Sequence, residues 1–397
     1  MDDAGHAGRD LWAARLLLRD PAVETCRALE ARRLAGRPCA GGRSAVRAAA
    51  GAVARGGELV NLVPDLIAVA LLLSITAYST AGGVDFGAGI WDLLAGQSAR
   101  GRQARALIDH AMAPVWEVNN VWLVMAIVLC WTGFPLLFQS TFLSLYPLFA
   151  LALVGLILRG AFFAFRHVAD EPRSHRIADL VFGASSVLTP FFFAASLGAI
   201  ASGQVGVNGP SQSVLAASFN PMSISFGLVS VAATAFSGAS FLVGDARRYG
   251  ADELVGYFRR RAVAAAAVLI VMGSVALVTI GLQAPALLRS MLAGPGLPFA
   301  LATMILTPLV AVLHARAIFR WYRVLTVAAV GSMVMAWGFA QSPYMLPGRL
   351  TIAQAIAPPG TQALLLIVGA GLVVVIVPAM ALLYYLDQRS ALDAPEA

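Results

Sequence analysis

The 397 residues are 59% hydrophobic and 12% charged, with a mean hydropathy of +0.77. A soluble domain carries about 25% charged residues, so this composition excludes one and points to an integral membrane protein. The formal charge of +7 comes from 28 basic residues, all arginine, which punctuate the apolar runs instead of gathering on one soluble face. That pattern excludes nucleic-acid binding and reads as a set of topology signals.

In chain order, residues 1–58 stand apart, with ten arginines, many Ala and Gly, and no apolar run of span length. The segment "LWAARLLLRD" can form an amphipathic helix, but the stretch as a whole reads as weakly structured. It lacks the apolar core and small-residue cleavage site of a signal peptide. It is an Arg/Ala/Gly-rich extension, disordered or added by an upstream start, ahead of a polytopic membrane domain over 59–390. The cysteines Cys26, Cys39 and Cys130 form no CxxC or Cys/His spacing, so no disulfide framework or zinc site is expected.

Nine apolar runs then predict helical spans near 60–81, 114–138, 141–165, 178–201, 222–244, 262–283, 298–318, 321–341 and 363–386. Gly82, Gly83, Gly87 and Gly89 interrupt the pattern after the first run, which predicts a long, bent or broken helix there. Alternate connections are rich in arginine: Arg100, Arg102 and Arg105; Arg166, Arg173 and Arg176; Arg247, Arg248 and Arg259 to Arg261; Arg316, Arg320 and Arg323. The opposite connections hold only Arg289 and Arg349. By the positive-inside rule the arginine-rich side is cytoplasmic, so the first span starts outside and the C-terminus ends inside. The arginines of 1–58 would then lie outside. That conflict is removed if the native chain starts near residue 58, and otherwise the extension is a translocated arm.

Ionisable residues in or against the spans are Asp65, Asp85, Glu117, Arg159 and His314, and intramembrane charge is costly enough to make each a functional candidate. Asp65 lies at the outer mouth of the first span and reads as interfacial. Asp85 lies about 30 Å down the first span, Arg159 about 27 Å down the third, and Glu117 one turn into the second from the same side. All three share one layer near the cytoplasmic face. In "WEVNNVW" (116–122), Trp116 and Asn119 would orient the Glu117 carboxylate, with Asn120 and Trp122 in support, and the cluster would hold and pass protons.

A structural reading of the same residues stands beside this one. Asn119 and Asn120 would bridge helices, since amides stabilise helix contacts in lipid. Trp91, Trp116, Trp122, Trp131 and Trp337 would be interfacial belt residues, and Arg159 a counter-ion. "GGVDFGAG" follows a membrane helix, not a strand, so it is no dinucleotide fingerprint. His110 and Glu117 lack a third ligand for a metal.

The segments "GGVDFGAG", "APVWEVNNVWL" and "LILRGAFFAFR" resemble the first three helices of subunit II of cytochrome bd-type quinol oxidases. The family's motifs there are D-G-x-D-x-G-x-G, W-[DE]-x-N-x-x-W and L-R-G-x-x-F-x-[FY]-R. The likeness continues through "TPFFFAASLGAIASGQV", "FNPMSISFGL", "SPYMLPGRLTIAQAIAPP" and "PAMALLYYL", covering roughly 62–387 in order. It implies an all-α fold of two four-helix bundles plus a peripheral helix, in a bacterial-type plasma membrane. It also implies a heterodimer with a haem-bearing subunit I, with quinol as substrate of the complex. A small accessory subunit is the remaining candidate partner. Haems and their ligands are expected on subunit I, with no cofactor, metal or catalytic residue on this chain. Its share would be a proton path through Glu117, Asp85 and Arg159, together with an oxygen path lined by side chains such as Trp122, Leu123 and Phe138. Glu117 stands where Asp is frequent, and Gly82 replaces the first acid of the glycine-rich motif. The rival readings are a secondary transporter with a broken first helix and a purely structural companion subunit.

Overall fold

Backbone polar groups in hydrocarbon must be satisfied within the chain, and helices do this for apolar runs of span length. The computed structural model describes residues 62–96, 98–112, 116–168, 172–211 and 213–388, and these are helix nearly throughout. The extension 1–58 lies outside the described residues. The longer helices are α1 (Leu62–Leu93), α2 (Ala99–Met112), α3 (Trp116–Val128), α4 (Pro135–Val168) and α5 (Pro172–Ala201). After the short α6 (Val214–Ser218) come α7 (Pro221–Arg248), α8 (Asp252–Gln283), α9 (Pro285–Ala293), α10 (Leu297–Ala315) and α11 (Tyr322–Gln341). The short α12 (Ile352–Ala355) precedes α13 (Pro359–Gln388). Two small hairpins, Val205–Gly206 with Gly209–Pro210 and Tyr344–Leu346 with Leu350–Thr351, close connections at the arginine-poor end.

Among the described residues, seven helices are long and apolar enough to cross a membrane. They fall on seven of the nine expected runs. The other two, 114–138 and 363–386, fall on the shorter apolar stretches Asn119–Gly133 and Pro359–Gly371.

Two local features have physical causes. Of the long, bent or broken helix expected at the glycines, the long form is found: α1 continues to Leu93 through a π-turn at Tyr78–Gly82. A π-turn inserts one residue into the helix and re-aims every side chain beyond it. The stretch read as a loop at 96–113 contains α2, too polar to span. It folds as a helix because Ala104, Leu107 and Ile108, at i, i+3 and i+4, are buried on one face.

The centre of the molecule is α7. Of its apolar window 67% is buried, against 17–44% in the other six spans, so α7 packs on neighbours over most of its surface while the others leave more of theirs uncovered. It starts from an Asn220 cap, whose Oδ1 accepts from the Ser223 N–H at 2.9 Å, with Pro221 at the first helical position. It packs against α1, α5 and α8. Its crossing with α1 is a glycine-on-glycine contact. A Cβ on Gly87 would lie 1.9 Å from the Thr234 carbonyl oxygen, and one on Gly238 would lie 2.4 Å from the Gly87 carbonyl carbon. Small residues let helix backbones approach in lipid, where apolar burial alone favours no partner.

Gly87→Ala or Gly238→Ala should therefore force the α1–α7 crossing apart and lower stability by about 1–3 kcal/mol. Gly160→Ala is the control, because a Cβ there meets nothing within 4 Å. The melting midpoint in detergent should fall for the first two and hold or rise for the third.

Candidate functional site

Asp85 lies in the first turn of α1 after the π-turn, and with Gly89 and Asp92 it forms a stripe at i, i+4 and i+7. Both acids are buried, Asp85 at 8% exposure and Asp92 at 1%. Arg159 reaches Asp85 from α4. Its Nη2 donates to Asp85 Oδ1 at 2.8 Å and to the Asp85 carbonyl at 3.0 Å. Its Nη1 donates to Ser186 Oγ on α5, and that hydroxyl in turn donates to the Phe182 carbonyl at 2.7 Å. The guanidinium lies between the rings of Phe86 and Phe182, 4.7 and 4.6 Å from their centroids. Gly89 leaves the space for this arrangement, since a Cβ there would lie 2.2 Å from Ser186 Oγ and 2.9 Å from Arg159 Nη1.

A second charged layer follows about 10 Å further along α1, at seven residues of 1.5 Å rise. Asp92 lies 3.9 Å from Arg105 Nε, and Arg105 Nη1 reaches Asp179 Oδ2 at 3.4 Å. Arg105 comes from α2 and Asp179 from α5, so this layer ties the amphipathic helix to the bundle. Trp91, expected in the interfacial belt, is instead a core residue whose Nε1 donates to the Ala235 carbonyl at 2.7 Å.

The start of α3 is fixed to α1 above the ion pair. Asn119 is 2% exposed, and its Nδ2 donates to the carbonyl of Ala81, inside the π-turn, at 3.2 Å. Its Oδ1 is buried with no partner among the described residues. Because α3 runs antiparallel to α1, the backbone of Glu117 lies about 3 Å nearer the arginine-rich end than Asn119, at the level of Gly83. The side chains of Trp116 and Glu117 lie outside the described residues. Asn120 and Trp122 are half-buried.

Of the three ionisable residues read from sequence as a cluster, Asp85 and Arg159 are in direct contact, while the side chain of Glu117 lies outside the described residues. Sequence reasoning missed Asp92, Ser186 and Arg105. The spacing of seven from Asp85 marks Asp92, whereas nothing local in the sequence marks Ser186.

An apolar cavity of about 980 Å³ adjoins the π-turn, where Tyr78, Phe86, Leu123 and Phe138 are among its lining residues and Trp122 is not. His314, the span histidine, is fully buried on α10 with Nε2 3.1 Å from Ser240 Oγ. Among the described residues no group of three or more His, Cys, Asp or Glu stands together.

The buried pair allows a direct energetic test. Truncating one partner leaves an uncompensated charge in the bundle, so Arg159→Met should cost about 3–5 kcal/mol. Arg159→Met with Asp85→Leu removes both charges and should recover most of that loss. Chemical denaturation in detergent measures both, and a double variant no more stable than the single one would count against the pair as the source.

The chain matches the family model described as cytochrome bd terminal oxidase subunit II over residues 63–387. It is 28% identical over 127 residues to cytochrome bd ubiquinol oxidase subunit 2 of Bacillus subtilis, covering 32% of this chain and 37% of that one. It is 24% identical over 190 residues to cytochrome bd-I ubiquinol oxidase subunit 2 of Escherichia coli K12, covering 47% and 48%. The chain thus spans about half or less of the length of these relatives. The bd oxidase structure from Geobacillus thermodenitrificans shares the fold with a TM-score of 0.67 at 22% identity, covering 81% of this chain and 98% of that one. The chain belongs to the cytochrome bd terminal oxidase subunit II family.

Proposed function

We infer that the chain is the non-haem membrane subunit of a bd-type quinol:oxygen oxidoreductase and works beside a haem-bearing subunit I. The observation that supports this most is the family match over 63–387, and the relatives are named as subunits of ubiquinol oxidases. Haem on the partner supplies the electron transfer to oxygen. The membrane is a bacterial plasma membrane. The arginine-rich end is cytoplasmic by the positive-inside rule, which puts the start of α1 outside and the C-terminus inside.

The share of this chain is a proton route from the cytoplasmic end. Arg159 spends both Nη groups on Asp85 and Ser186, so it is a fixed partner of Asp85. Glu117, two residues before Asn119 on α3, is the group that takes up and releases protons. Asn119 holds the segment in place through its bond to the π-turn. Asp92, Arg105 and Asp179 form the polar entrance on the same side.

A second reading, a purely structural companion subunit, is favoured by the complete engagement of Arg159. The transporter reading has less support, because the π-turn keeps α1 continuous where that reading needs a broken helix.

Glu117→Gln keeps size and hydrogen bonding but cannot carry a proton. The variant should slow oxygen consumption by the purified complex about tenfold or more, within the usual range for lost acid–base groups, and leave its haem content unchanged. Unchanged turnover at full haem content would favour the structural companion.

A further inference from the structure

We propose that the arginine-lined pocket between α7 and the start of α11 binds the phosphate group of an anionic phospholipid, with the acyl chains lying along α11. The pocket encloses about 320 Å³ and is lined by Arg247, Arg323, Phe319, Trp321 and the backbone of Gly244, among others. The two connections that meet here, 245–261 and 316–323, carry eight arginines against the acids Asp245, Asp252 and Glu253, a net charge of +5.

Both lining arginines are held ready by apolar and backbone contacts. Arg247 stacks on Phe319 at 4.1 Å from the ring centroid. Arg323 Nη2 donates to Asp245 Oδ1 at 2.5 Å and to the Phe241 carbonyl at 2.9 Å. Its Nε is buried with no acceptor among the described residues. Asp245 neutralises part of the Arg323 charge, whereas Arg247 keeps its guanidinium 4.1 Å over a ring and exposed. Gly244 leaves room for the Arg323 guanidinium in this position, since a Cβ there would lie 2.3 Å from Arg323 Nη2.

The start of α11 adds to the anion preference without carrying it. Trp321 precedes the helix in the left-handed region at φ 63°, provides no side-chain cap, and no acid lies in the first turn. The first N–H groups of a 20-residue helix are therefore left to an outside acceptor.

The surroundings favour a lipid over a soluble anion. Trp321 is 63% exposed at the rim, the position at which tryptophan anchors to headgroups. Val324 and Val327 follow it down α11 at 59% and 40% exposure, on a helix long and apolar enough to cross a membrane. Basic pockets between membrane helices recognise anionic headgroups through such a combination.

The test is a lipid titration of the full-length protein purified from its membrane, read by native mass spectrometry. Phosphatidylglycerol is compared with phosphatidylcholine of the same acyl chains. The wild type should retain phosphatidylglycerol preferentially, and Arg247→Gln should weaken that retention about fivefold. Arg247 is the first choice because it stacks on Phe319, whereas Arg323→Gln also removes the ion pair to Asp245. Arg260→Gln removes an equal charge outside the pocket and should leave retention unchanged. Equal loss in Arg247→Gln and Arg260→Gln would mean diffuse attraction to the basic end and overturn the pocket. Retention of inorganic phosphate without phosphatidylglycerol would overturn the lipid assignment.

Discussion

A guanidinium and a carboxylate cannot sit in a helical bundle at membrane depth unless nearly every donor and lone pair finds a partner, because each unmatched group costs several kcal/mol there. The Asp85–Arg159 pair meets that demand by recruiting three helices. Asp85 comes from α1, Arg159 from α4 and Ser186 from α5. Two phenylalanine rings cover the guanidinium faces and Gly89 clears the remaining volume. Such a pair adds little net stability over an apolar substitute, but it penalises any arrangement that separates its members. Its effect is to fix the register of these helices near one face of the membrane.

Two further devices depend on that register. The π-turn in α1 directs Asp85 inward and supplies the Ala81 carbonyl to which Asn119 is bonded. The Gly87–Gly238 crossing brings α7 against the same turn of α1, so the central helix and the ion pair are set by adjacent residues. In a proton route the surrounding charges should stay fixed while one carboxyl group titrates. An Arg159 whose Nη donors are already engaged is suited to the fixed role.

Much of this was legible in the sequence, because membrane helices are written in runs of apolar residues and charges within them are rare. The helical class, the order of spans, and the shared depth of Asp85 and Arg159 follow from counting residues at 1.5 Å each. What stayed hidden depends on contacts between distant segments. Gly82 to Gly89 leaves a long, bent or broken helix open, and only the sight of α7 pressed against Gly87, with a π-turn at Tyr78–Gly82, decides for the long one. Trp91 reads as a belt residue until its indole is found bonded to Ala235, 144 positions away. The α2 helix was masked by its arginines, although Ala104, Leu107 and Ile108 carry its buried stripe. Ser186 is one of many small polar residues in apolar runs, and only the arrival of Arg159 distinguishes it.

The central claim is a division of labour in which the Asp85–Arg159 pair is a fixed structural contact and the carboxyl group at the start of α3 is the one proposed to move the proton. Redox-induced infrared difference spectroscopy of the purified oxidase complex addresses it directly, because protonated and ionised carboxyl groups absorb at separate frequencies. The account predicts a protonated-carboxyl signal on turnover that disappears in Glu117→Gln and persists when Asp85 and Arg159 are replaced together by Leu and Met. A signal retained in Glu117→Gln, or abolished by replacing the Asp85–Arg159 pair alone, would contradict it.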